Sequence, residues 1–257
     1  MSEVFKDYAR IYDLIYFKKN YAAECVYLKR IFSRYACVRV KSVLDLACGT
    51  GNHAMCLNRQ GFEVYAQDMS VQMLALAKRK AHKANLPIKF MGCHPMQDFS
   101  HKVAFDAVIA MFSSIDYLIL PGEIKGALNN VRRCLRQGGV FTFDFWNRDC
   151  VLREYSPLKM NIFEHSERKV LRISETTLDR AKDIANIVYT CYYFEDGLRR
   201  AFIEERHQMK YYRIKDMTAI VEKCGFKVLG CFPFMKIGSK VGPRDWNISL
   251  AATPRLL

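Results

Sequence analysis

From residue 22 the apolar positions fall at helical spacing through AAECVYLKRIFSRY, and the pattern then changes. Short apolar runs at 42–46, 63–67, 88–91, 104–110 and 140–144 alternate with amphipathic segments at 52–60, 70–84 and 122–136. Short apolar runs bounded by turn residues predict strands, and the longer segments of period about 3.6 predict helices. Gly138 and Gly139 predict the stop of the third of these helices. Strand, helix, strand at this rhythm requires right-handed crossovers. The expected fold is therefore α/β, a doubly wound, mostly parallel sheet.

Over 151–213 the rhythm becomes that of alternating strands, with an Asp196-Gly197 turn between two of them. An antiparallel β insertion after strand five is the expectation. A last helix at 216–223 and two short strands near 227–231 and 246–251 return the chain to the main sheet. The expected division is thus 1–150 with 214–257 as one core, carrying an N-terminal helical cover, and 151–213 as the insertion.

With 257 residues, 51% of them hydrophobic, the chain can bury a full core and is not expected to be disordered. No run approaches the roughly 18 apolar residues of a membrane span, and the opening MSEVFKDYAR does not look like a signal peptide. The expected location is cytoplasmic, with no membrane partner. Ten cysteines are scattered without a CxxC pair or a His/Cys cluster, so they read as reduced core residues and no metal is expected. The net charge of +14 is spread over short groups such as Lys78 to Lys80, which suit a solvated helix face better than a nucleic-acid arm.

The chemistry starts at VLDLACGTGNHA, residues 43 to 54. Val43, Leu44 and Leu46 predict a buried strand, and Ala47, Gly49 and Gly51 a turn where backbone approaches a ligand closely. The spacing departs from the dinucleotide GxGxxG, since Ala54 stands where its third glycine would fall. Asp68 ends the second strand, 17 positions beyond Gly51, where a carboxylate can accept from ribose hydroxyls. A ribose-bearing cofactor follows.

With these residues the sequence resembles the class I S-adenosylmethionine-dependent methyltransferases. GFEVYAQDMSVQMLALAKRKA, FDAVIAMFSSIDYL and LRQGGVFTFDFWN match three further motifs of that family, in order. The resemblance implies a seven-stranded Rossmann-like sheet with its last strand antiparallel, and S-adenosylmethionine as cofactor. It implies that Ala47, Gly49 and Gly51 lie against the methionine part, that Asp68 holds the ribose, and that Met69 covers the adenine. Met96 would meet the adenine from the third-strand loop, and Met111 would lie beneath the cofactor. Where relatives often carry an adenine-binding aspartate in that loop, CHPMQDF has Pro95. That contact is lost, passes to a backbone carbonyl, or passes to Asp98.

The nearer resemblance is to small-molecule N-methyltransferases of nucleotide-linked amino sugars and of glycine, carried by YDLIYFKKNYAAE, MFSSIDYL and FIEERHQMKYY. It implies that Tyr12 and Tyr21 fold over the cofactor toward its carboxylate. Methyl transfer from a sulfonium needs in-line positioning, exclusion of water and a neutral amine. Tyr117 is the expected residue that orients or accepts from the nucleophile, and His207 the second candidate, with a surface pair of His207 and Glu205 as its alternative. Ser114, Trp146 and Arg172 are candidates for the acceptor, Arg172 through an anionic group on it. The expected partner is a small-molecule methyl acceptor. Amine methylation is favoured over O-methylation, and both over nucleic-acid methylation or cofactor binding without turnover. The oligomeric state stays open, a homodimer included.

Overall fold

The computed structural model describes residues 5–101 and 103–255. Seven strands form the main sheet: β1 (Ser42–Asp45), β2 (Glu63–Asp68), β3 (Lys89–Cys93), β4 (Phe105–Ala110), β5 (Leu135–Trp146), β10 (Phe226–Pro233) and β11 (Asn247–Pro254). They lie in the order β10-β11-β5-β4-β1-β2-β3. The pairs among β1 to β5 are parallel, whereas β11 enters between β5 and β10 antiparallel to both. The order reverses at β1, and ligands of open α/β sheets bind at such a point, beyond the carboxyl ends of the strands.

Alternate residues of a strand face opposite ways, so β1 serves two cores. Leu44 packs with Phe141 and Phe143 of β5 and with Leu128 and Val131 of α5 (Pro121–Cys134). Val43 packs on the other face with Leu28 and Ile31 of α2 (Tyr21–Tyr35), Leu57 of α3 (Asn52–Arg59) and Leu74 of α4 (Val71–Lys83). The sequence reading placed Gly138 and Gly139 as a helix stop; they belong to β5 instead, and α5 ends at Cys134. A Cβ on Gly139 would stand 2.7 Å from the Asp106 carbonyl, so close pairing of β5 with β4 requires the glycine.

A second, antiparallel sheet runs β6 (Leu158–His165), β7 (Arg168–Asp179), β8 (Ile184–Glu195), β9 (Leu198–Lys210), joined to the core by α6 (Arg148–Glu154) and α7 (Ile214–Lys223). Its inner face is buried at every other position of β9, through Ile203, Glu205, His207 and Met209. A short helix missed by the sequence pattern, α1 (Ala9–Ile15), packs Ile11 and Leu14 against Val170, Cys191 and Ile203 of this face. Of the cysteines read as core, Cys37 and Cys93 are exposed, and five of the others are buried. No helix among the described residues is long and apolar enough to cross a membrane.

Candidate active site

A cavity of about 370 Å³ lies over the carboxyl ends of β1, β2 and β4, roofed by α1 and the inner face of the antiparallel sheet. That volume is in the range of pockets that enclose small ligands, about 300 to 1,000 Å³. Its floor is the glycine turn. Ala47 and Gly49 line the cavity, and a Cβ on Gly49, at φ +54°, would meet nothing within 4 Å. Gly51 is not on the wall. It initiates α3 at φ +81°, where a Cβ would stand 3.0 Å from that of Ala77, so its smallness lets α4 approach the turn.

Asp68 is buried at the end of β2 and lines the cavity. Its Oδ2 accepts from Gly49 N–H and its Oδ1 from Ser70 N–H, each at 2.8 Å. Each oxygen keeps a lone pair for a ligand hydroxyl. Burial raises its pKa against the opposing pull of the Ser70, Gly49 and Met69 N–H groups. Ser70 caps α4 by accepting from Met73 N–H, so the cap is made by the serine and Asp68 aims at the turn.

Met69, Met96 and Met111 all line the cavity, Met111 almost fully buried and Met69 about half exposed. In the third-strand loop His94 and Gln97 join Met96 on the wall, whereas Asp98 is exposed and off it. The Asp98 alternative for the adenine is thereby disfavoured, and Gln97, which sequence reasoning missed, supplies a side-chain amide there.

The roof is aromatic. Tyr12 and Tyr21 reach the cavity, and the Tyr21 hydroxyl is buried without a hydrogen-bond partner. α1 is clamped onto the glycine turn by Asp13, which accepts from Thr50 Oγ1 at 2.6 Å, Asn52 Nδ2 at 3.0 Å and Lys80 Nζ at 2.7 Å. Lys80, read with its neighbours as a solvated face, thus reaches back from α4 into the site. Nothing in the local pattern separates it from Lys78.

At the far end Phe112 and Ser113 both hold left-handed backbone, at φ +63° and +55°. Such strain persists only where the surroundings enforce it. Buried Asp144 does so, its Oδ2 accepting from Ser113 N–H and Oγ, each at 3.0 Å. The chain then enters a 3-10 turn (Ser114–Tyr117) that presents Ser114, its hydroxyl buried and unpartnered, and Tyr117 to the cavity.

The Tyr117 hydroxyl lies 2.9 Å from Nδ1 of His207, and Nε2 of His207 lies 3.4 Å from Glu205 Oε2. Glu205 and His207 are buried and Tyr117 is half-buried, so the surface-pair alternative for His207 and Glu205 is corrected. His207 stands behind Tyr117 and not on the cavity wall itself. Burial, ahead of neighbouring phenols and carboxylates, holds the Tyr117 pKa well above its ordinary value. Trp146 lines the cavity while Phe145 is wholly in the core.

Arg172 lies outside this cavity and lines a second one of about 250 Å³, which shares Trp146 and Tyr189 with the first. Its Nη1 donates to the Tyr8 and Tyr16 hydroxyls at 2.8 and 3.3 Å, and its guanidinium stacks over Phe163 and Tyr189. It braces the aromatic roof, and its Nε is buried and unpartnered.

The sheet order with its late antiparallel strand, the glycine turn and the acid at the end of β2 are those of a Rossmann-like α/β fold with a ligand cavity at its switch point. Residues 43–139 match the family described as Methyltransferase domain. Over 142 residues the chain is 32% identical to a dTDP-3-amino-3,4,6-trideoxy-alpha-D-glucopyranose N,N-dimethyltransferase of Streptomyces venezuelae, spanning 54% of this chain and 57% of that one. The chain thus spans little more than half the length of this relative. Its fold is similar to an S-adenosylmethionine-dependent methyltransferase from Clostridium acetobutylicum, with TM-score 0.83, 22% identity and coverage of 97% of this chain and 98% of that one. It is similar also to DesVI of Streptomyces venezuelae, with TM-score 0.81, 22% identity and coverage of 97% and 99%.

Proposed function

We propose that the protein uses S-adenosylmethionine to methylate an amine on a small molecule, an amino sugar or an amino acid. The observation that carries this reading is the Tyr117 hydroxyl on the cavity wall, backed at 2.9 Å by a ring nitrogen of buried His207. The relative that is an amino-sugar N,N-dimethyltransferase supports the same acceptor class.

The residues present fit the cofactor. The open side of Gly49, the unpartnered Tyr21 hydroxyl and the spare lone pairs of Asp68 offer a cradle, a donor and two acceptors in one cavity. Ala47 and Gly49 would hold the methionine portion, with Gly51 shaping the turn, and Tyr12 and Tyr21 would reach its carboxylate. Asp68 would hold the ribose, Met69 and Met96 the adenine, and Met111 the underside. When bound, S-adenosylmethionine supplies a methyl group already activated on a sulfonium sulfur.

The protein's remaining work is to exclude water, orient the acceptor and remove its proton. α1 and the antiparallel sheet close the cavity. The Tyr117 oxygen accepts a proton from the acceptor's ammonium while its own passes to His207 Nδ1, leaving a neutral amine. Ser114 and Trp146 position the acceptor, and Arg172 takes an anionic part of it from the second cavity. In this proposal 1–150 with 214–257 form the cofactor core and 151–213 the acceptor side, and the enzyme works in the cytoplasm.

Calorimetric titration with S-adenosylmethionine, then mass spectrometry of transfer to nucleotide-linked amino sugars, amino acids and their hydroxyl analogues, tests the reading. Binding and transfer to amines are expected. Transfer to hydroxyl analogues alone would make it an O-methyltransferase, and absence of binding by the folded protein would end the proposal.

A further inference from the structure

We propose that Glu205 is a positioning residue that ties closure of the N-terminal cover to the alignment of His207 and Tyr117. It sits on the inner face of β9, almost fully buried, and its two oxygens are used in two directions. Toward the N-terminus, Oε1 accepts from Tyr8 N–H at 3.0 Å and Oε2 from Phe5 N–H at 2.8 Å. Toward the cavity, Oε2 lies 3.4 Å from Nε2 of His207, whose Nδ1 is 2.9 Å from the Tyr117 hydroxyl. One carboxylate therefore serves both the cover and the proton acceptor.

The arrangement selects a tautomer. A neutral imidazole with its proton on Nε2 places that proton on the Glu205 side and leaves the Nδ1 lone pair for the Tyr117 hydroxyl. The other tautomer would set the Nε2 lone pair against a carboxylate. Once a proton has moved from the acceptor through Tyr117 to Nδ1, the imidazolium stands beside a compensating charge. At 3.4 Å Nε2 and Glu205 Oε2 are at ion-pair distance without a hydrogen bond, and Nε2 has no hydrogen-bond partner among the described residues; such contacts commonly tighten only when a substrate is bound.

The cover is coupled to the same atoms. Phe5, whose N–H binds Glu205, also lays its ring 5.1 Å from that of His207 and 5.6 Å from that of Tyr117, measured between centroids. When residues 5 to 8 are seated, Glu205 is held facing His207 and the pair is shielded from water. Without them, His207 is the one remaining partner of the carboxylate among the described residues. The titratable groups facing His207 are Glu205 and the phenols of Tyr8, Tyr117 and Tyr189, with Arg172 one ring further out on Tyr189. The phenols stay protonated through neutrality, so Glu205 is the charge that steadies the ring.

The inference takes its chemical purpose from the methyltransferase reading, but its test needs neither cofactor nor acceptor. Long-range 1H–15N spectra of the wild type, assigned with His207→Gln, should show the His207 ring protonated on Nε2 alone; a ring protonated on Nδ1 overturns the proposal without any further variant. In Glu205→Gln the His207 ring should lose its single tautomer, with a second set of signals protonated on Nδ1 appearing beside the first. Amide exchange of residues 5 to 12 should accelerate by about tenfold or more, the scale of one lost charged hydrogen bond. Both changes together support the coupling. Movement of only one, or of neither, in a variant that melts cooperatively overturns it. Failure of the methyltransferase reading would appear separately, as absence of S-adenosylmethionine binding with these signatures intact.

Discussion

The two walls of the cavity are built on opposite plans. On the cofactor side, Ala47, Gly49 and Asp68 come from two adjacent parallel strands and the turn between a strand and a helix. On the acceptor side, Tyr117, His207 and Glu205 come from a 3-10 turn and a strand about ninety residues later, joined only by packing. The first wall is a local motif that a backbone can make alone. The second exists only when one face of an antiparallel sheet is laid over the first.

This difference orders the consequences of mutation. The largest effect is expected on the acceptor side. In the proposed mechanism Tyr117 takes the acceptor's proton, so Tyr117→Phe should lower kcat by roughly 10² to 10⁴ fold, the range of a lost acid or base. The cofactor Kd measured by calorimetry should change by less than about twofold, since this change leaves the ring in place. Full turnover in this variant would remove Tyr117 from the chemistry.

The inner and outer faces of β9 can be set against each other next. Ile203 is buried against α1 and Val170, while its neighbour Phe202 is 55% exposed on the outer face. Ile203→Ala should cost about 3 kcal/mol in urea unfolding, and Phe202→Ser less than about 0.5 kcal/mol. Equal costs would mean that the outer face is covered in solution, for which Leu158, Met160 and Ile162 on β6 are the apolar neighbours.

On the cofactor side, Asp68→Ala removes the two acceptors proposed for the ribose and the anchor of the Gly49 N–H. S-adenosylmethionine should bind about 100-fold more weakly, equivalent to roughly 2.7 kcal/mol, the scale of one or two hydrogen bonds to a charged group. A change under about fivefold would show that Asp68 serves the turn and not the ligand.

How much of this was legible follows the same divide. The parallel sheet and the glycine turn are written in contiguous runs, so strand bounds near 42, 63 and 104 came out within a residue or two of the structure. Gly138 and Gly139 misled because a glycine that allows close strand pairing looks in sequence like one that ends a helix. Asp13, Thr50, Asn52 and Lys80 were missed because their network joins three separate segments through side chains. For Glu205 and His207 the alternation of β9 did place both on one face, but a period of two does not say which face is buried. That was decided by α1, a helix of seven residues whose aromatic composition hid its periodicity.

The last expected effect concerns Asp45, directly under the turn. Burial pushes its pKa up to about 7; the His53 ring opposes the rise and Asp68 adds to it, and Oδ2 has no hydrogen-bond partner. In the unfolded chain the same carboxyl titrates near 3.9, so between about pH 4 and 7 the folded state binds the proton that the unfolded state has released. A raised folded pKa contributes stability that is complete below the unfolded pKa and is lost as pH rises through the folded one. Asparagine at this position cannot ionise and leaves the other buried carboxylates, Asp68, Asp116 and Asp144, to cancel between variant and wild type. Asp45→Asn should therefore gain on the order of 4 kcal/mol relative to wild type between pH 4 and pH 8, about three pKa units at about 1.4 kcal/mol each, measured by urea unfolding at each pH. A difference that does not change with pH would mean that Asp45 is ionised beneath the turn throughout, and that the floor of the cofactor wall carries a charge the cavity must accommodate.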